Sequence, residues 1–71
     1  MYAKIIEKIL EKHGYGGKYD PRHIEAYMRL VYGTLDGISR KSFETEVSAC
    51  RLCIEIEGVE KAEALTLTFG L

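Results

Sequence analysis

No run of this sequence approaches the ~20 apolar residues that a membrane span requires. The opening Met1-Tyr2-Ala3-Lys4 has no long apolar stretch of the kind a secretory signal carries. Both absences point to a small soluble domain of the cytoplasm. Histidine is limited to His13 and His23, and cysteine to Cys50 and Cys53. A structural zinc site takes four ligands, and neither histidine stands in an H-x3-5-H pair, so no metal is expected. Proline occurs once, at Pro21, and tryptophan not at all. At 71 residues the chain has room for one domain. A domain of that size buries only about 60% of the surface its unfolded form exposes, so its core is marginal. With 46% hydrophobic and 30% charged residues the composition is globular rather than disordered.

The net charge of −1 conceals a division. Residues 1–41 carry eight Lys/Arg against five Asp/Glu, a net +3. Residues 42–71 carry two against six, a net −4. Such asymmetry steers a charged partner, or is neutralised when the two halves face each other in the fold.

Apolar periodicity divides the chain into four helical segments. At about 100° per residue, Tyr2, Ile5, Ile6, Ile9 and Leu10 share one arc of a helix over residues 2–13, with Lys4, Glu7, Lys8 and Glu11 opposite. Gly14 stops it. Asp20-Pro21 is an N-cap followed by a proline suited to the first helical position. Ile24, Tyr27, Met28 and Val31 then recur at helical spacing. Leu30 and Tyr32 widen the apolar surface, leaving a narrow polar strip around Glu25 and Arg29. This second helix is therefore expected to be the most buried, and Gly33 ends it. Leu35 and Ile38 are expected to anchor the following loop in the core.

Ser39 caps a third helix with two apolar stripes. Phe43, Val47, Cys50 and Ile54 form one, and Ala49, Leu52 and Ile56 lie roughly opposite. Two apolar faces need two coverings: either the helix is central, or its second face is a partner or homodimer contact. Gly58 ends it, and a fourth helix over residues 59–69 places Val59, Ala62, Leu65, Thr66 and Phe69 on one face. The expected fold is all-α, a compact bundle of three to four short helices in a single domain over residues 1–71. The alternative is a C-terminal β-hairpin, because residues 51–57 and 64–69 also alternate apolar with polar.

No catalytic constellation emerges. Cys50-x-x-Cys53 lies inside a helix rather than at the N-terminus that activates a redox cysteine, so both read as small apolar residues. Gly14-Tyr-Gly-Gly17 lacks the G-x-x-x-x-G-K-[ST] phosphate loop. Asp36-Gly37 lacks the alternating oxygen ligands of a calcium loop. Ser39, Ser42 and Ser48 have no spacing to His and Asp that supports a triad. A bundle this small also offers little concave volume for a substrate. No enzyme activity and no cofactor are expected.

Two groups of side chains are suited to binding. Tyr15, Lys18, Tyr19 and Arg22 interleave aromatic and basic residues, as nucleic-acid contacts do. The four glutamates of the third helix, and the slightly negative net charge, weigh against phosphate contact. Glu44, Glu55, Glu60 and Glu63 offer an acidic face for a basic groove on another protein.

The block Asp20-Pro-Arg-His-Ile-Glu-Ala-Tyr-Met-Arg-Leu30, continuing through Tyr-Gly-Thr-Leu-Asp-Gly-Ile-Ser39 and Phe43-Glu-Thr-Glu-Val47 to Phe69-Gly-Leu71, resembles short uncharacterised proteins of bacterial, prophage and phage genomes. The resemblance covers residues 19–71 and implies helices rather than a hairpin. It also implies the setting in which compact phage-borne proteins bind or inhibit host machinery, anti-CRISPR proteins among them. The expected function is a protein–protein interaction module. The alternatives are a nucleic-acid-binding accessory protein and a homodimeric structural module.

Overall fold

A computed structural model describes residues 2–71. Four helices follow in order: α1 Ala3–Lys12, α2 Pro21–Tyr32, α3 Arg40–Glu57 and α4 Val59–Thr68. The all-α bundle is the observed fold. Among the described residues there is no strand: residues 51–57 complete α3, and residues 64–68 complete α4. Leu52, Ile54 and Ile56 alternate in sequence, yet Ile54 enters the core while Leu52 and Ile56 face out. A helix separates i from i+2 by more than half a turn, so a short alternation fits helix and strand alike.

Local chemistry sets the boundaries. The Asp20 carboxylate accepts the Arg22 backbone N–H at 2.9 Å, with Pro21 at the first helical position. The Ser39 hydroxyl accepts the Ser42 N–H at 3.2 Å and starts α3. Gly58 alone separates α3 from α4. Its φ of 96° is open to glycine and strained for other residues, and its N–H donates to the Ile54 carbonyl at 2.9 Å.

The core gathers Ile6, Ile9 and Leu10 of α1 with Ile24, Tyr27 and Met28 of α2. Phe43, Val47, Cys50 and Ile54 of α3, Leu35 of the loop and Ala62 of α4 complete it. Burying one such aliphatic side chain contributes about 1.5–3 kcal/mol. Leu35 is buried and Ile38 packs partly against the core, as the loop sequence anticipates.

Helix α2 is the centre of the bundle. It packs on α1, α3 and α4, whereas α1 and α4 do not meet. Its burial runs unbroken from Ile24 to Met28, in keeping with the sequence. The residues responsible differ from those expected. Leu30, Val31 and Tyr32 are exposed at the last turn of α2. Glu25, placed by periodicity on the polar strip, is 1% exposed. Neighbours on several sides cover that strip as well as the apolar arc.

Candidate interaction surface

Helix α3 presents one covered face and one open face. Phe43, Val47, Cys50 and Ile54 are buried. Ala49 is exposed, Leu52 is 48% exposed and Ile56 is 74% exposed. The helix is therefore not sandwiched: its second stripe lies on the outside of the molecule. At the N-terminal end of this outer face, Tyr32 comes alongside α3. Together with Lys41, Ser42, Thr45 and Glu46 it lines a shallow recess of about 240 Å³.

The charges of α3 run against its own dipole. Arg40 and Lys41 occupy its first turn, while Glu55 and Glu57 close it; the first turn holds no acid and the last no base. Helix ends favour the opposite arrangement, by about 0.3–1 kcal/mol per exposed charge. Glu57 is held from outside the helix. It accepts the Tyr27 hydroxyl at 2.7 Å and pairs with Lys61 at 3.2 Å. The Tyr27 hydrogen bond, followed by the Lys61 ammonium, lowers the Glu57 pKa below the usual glutamate range.

The aromatic and basic residues of the glycine loop are drawn inward. The Arg51 guanidinium lies over the Tyr15 ring, 4.2 Å from its centroid, and 5.6 Å from that of Tyr19. It donates to the Tyr19 hydroxyl at 3.3 Å, and that hydroxyl donates in turn to Glu55. The two tyrosine rings meet edge to face, 5.9 Å apart. Lys18 remains exposed. Arg22 pairs with Asp20 at 2.8 Å, and this hydrogen-bonded pair holds the Asp20 carboxyl below its usual pKa. The structure thus brings Tyr15 and Tyr19 together, but against α3 rather than toward solvent. Sequence reasoning did not single out Arg51. Its signal is the single cation in the C-terminal half of the longest helix, one turn before Glu55.

The four candidate glutamates do not share one surface. Glu44 lies near Lys12 at 3.2 Å, Arg40 at 3.9 Å and the His13 imidazole at 3.9 Å. Glu55 belongs to the tyrosine cluster. Glu60 and Glu63 lie exposed on α4. Helix α1 and the N-terminal end of α3 thereby neutralise part of the charge division read from the sequence.

A second unanticipated feature is the ion pair inside α2. Arg29 reaches Glu25 at 3.1 Å through its terminal nitrogen and at 3.2 Å through Nε. The Glu25 side chain is 1% exposed and that of Arg29 27%. The i,i+4 spacing was legible, and the burial was not. Nearby, the Tyr2 hydroxyl donates to Asp36 and ties the start of α1 to the loop before α3.

Cys50 is buried, and Cys53 one turn later is exposed. Burial, with Glu46 and Cys53 nearby, pushes the Cys50 thiol up to about 12. The reading of both as small buried apolar residues therefore holds for Cys50 alone. Among the described residues, no three His, Cys, Asp or Glu side chains gather as a metal site. No helix among them is long and apolar enough to cross a membrane.

Neither a known protein family, nor a curated protein, nor a solved structure matches this chain. Its function must be argued from its own surface.

Proposed function

We propose that the protein is a non-enzymatic interaction module, and that the outer face of α3 is its contact surface. One observation carries the reading: Leu52 and Ile56 stand open to solvent on the longest helix. A domain of this size has little apolar surface to leave uncovered, and a grouped apolar stripe marks a binding site more often than a lone exposed leucine does. The resemblance of residues 19–71 to short phage and prophage proteins supplies the setting, that of a binder or inhibitor of host machinery. A nucleic-acid role would need Tyr15 and Tyr19 free to stack on bases, and Arg51 already occupies them.

Affinity capture after chemical cross-linking in the cell, which retains a weakly held partner, tests the proposal. A tagged chain is expressed with an untagged copy in bacteria, beside a Leu52→Glu/Ile56→Glu variant of equal helicity. A stoichiometric protein, host-encoded or the untagged copy, is expected with the native face and absent with the variant. Capture of neither, or equal capture by both baits, overturns the reading.

A further inference from the structure

We infer that the outer face of α3 pairs with α3 of a second copy, antiparallel, about a two-fold axis near Ser48 and Ala49. The inference rests on the preceding reading of that face and names its occupant. Three observations select this partner and this direction.

The first is charge. Lys41 stands in the first turn of α3, and Glu55, still exposed while it accepts the Tyr19 hydroxyl, stands in its last, both on the same edge of the outer face. A two-fold axis at residues 48–49 sets Lys41 of each copy opposite Glu55 of the other. The reversed charges of α3 then face complementary ones, and the two helix dipoles lie head to tail. A parallel pairing would instead gather the basic first turns at one end and the acidic last turns at the other, which repels.

The second is shape. The same axis carries Ile56 of one copy to the level of Lys41 and Thr45 of the other. There the recess of Tyr32, Lys41, Ser42, Thr45 and Glu46 opens. The most exposed large apolar side chain of α3 thus meets the depression beside its own helix in the second copy, and the exchange is reciprocal. An isologous contact has this property: one patch supplies both the projection and the recess.

The third is size at the crossing point. Ser48 and Ala49 are small, so the two helices approach closely there, while Leu52 packs over Thr45 of the other copy. The shared face is at most ~27 Å long. It falls short of the ~800 Å² per partner of a standard interface. The contact is therefore a small one.

Sedimentation equilibrium of the full chain, from low concentration to about 1 mM, reads the pairing directly. The weight-average mass is expected to rise from 8.1 kDa toward twice that value. Isotope-filtered NMR on a mixed labelled and unlabelled sample is expected to connect the Ile56 methyl groups with the Tyr32 ring of the other copy. Ile56→Glu is expected to raise the dissociation constant at least ~10-fold. Lys41→Glu, a surface change that leaves the core intact, is expected to raise it severalfold, and added salt to do the same. A mass fixed at 8.1 kDa overturns the inference. So does a dimer lacking the Ile56–Tyr32 contact, or one indifferent to both substitutions. A chain that stays monomeric yet captures a host protein through Leu52 and Ile56 refutes the pairing while leaving the interaction-module reading intact.

Discussion

The Arg51 guanidinium lies 4.2 Å from the centre of the Tyr15 ring. This contact fastens the glycine-rich connection between α1 and α2 to the middle of α3. It makes that segment a strap held by a cation over an aromatic face and a hydrogen bond to Tyr19. Arg51→Ala is expected to destabilise the fold by about 1 kcal/mol, since an exposed cation–π contact contributes roughly 0.5–1 kcal/mol. Thermal denaturation measures the loss. Hydrogen exchange should localise it to faster exchange across residues 14–19, with α2 largely unaffected.

Glu25 and Arg29 make a second, different pairing, because the carboxylate is nearly inaccessible to water. Removing its partner strands a buried charge, whereas replacing both groups by apolar ones removes the desolvation cost. Arg29→Ala is expected to cost about 2 kcal/mol, less than a fully buried pair would because Arg29 is itself partly exposed. Glu25→Met with Arg29→Met should recover most of that loss. Chemical denaturation of the single and double variants checks the non-additivity.

Alkaline stability should depend on Tyr27 and Cys50. Burial, then the hydrogen bond to Glu57, raises the Tyr27 phenol from 10.0 to about 12. Burial raises the Cys50 thiol from 9.0 to about 12. In each case the unfolded chain ionises first. The stabilisation is complete below the unfolded pKa and is lost as pH climbs through the folded one. Native stability should therefore fall between about pH 9 and 12. Tyr27→Phe/Cys50→Ala should flatten that fall. Denaturant midpoints recorded across the range decide it; an equal slope in both proteins refutes it.

The two thiols should separate cleanly in reactivity. Cys53 is exposed and Cys50 is in the core. Thiol alkylation near neutral pH is expected to modify Cys53 alone in the native protein, and both cysteines in denaturant. Mass spectrometry counts the adducts, and a doubly modified native chain would contradict the burial of Cys50.

The helices were legible because their signals are local. Asp20-Pro21, Ser39, Gly33 and Gly58 each mark a boundary through a hydrogen bond or a backbone angle that involves only near neighbours. The stripe of Phe43, Val47, Cys50 and Ile54 was legible for the same reason. The fate of the second stripe was not, because periodicity shows that two faces are apolar without showing which one lacks a neighbour. Val31 and Glu25 exchanged their expected places for a related reason. A helical wheel has no knowledge of where the adjoining helices end or how many of them surround α2. Among the candidate site residues, Tyr15, Lys18, Tyr19 and Arg22 are offered by the sequence as a nucleic-acid contact, and the fold brings Tyr15 and Tyr19 together against α3. Their partner, Arg51, lies more than thirty residues away, and only the folded chain brings it near.

The position of α2 also bears on how this protein is made. Its buried face waits on α3 and α4, and α4 follows both α2 and α3 in the chain. As the nascent chain emerges, α1 shields part of that face, while the side facing α4 stays bare until residues 59–68 clear the ribosome. Elongation at about 5–20 residues per second makes that interval seconds long. A small helical bundle with mostly local contacts folds in microseconds to milliseconds. That side of α2 thus waits longer for its cover than the bundle needs to fold, and α4 is the piece that supplies it.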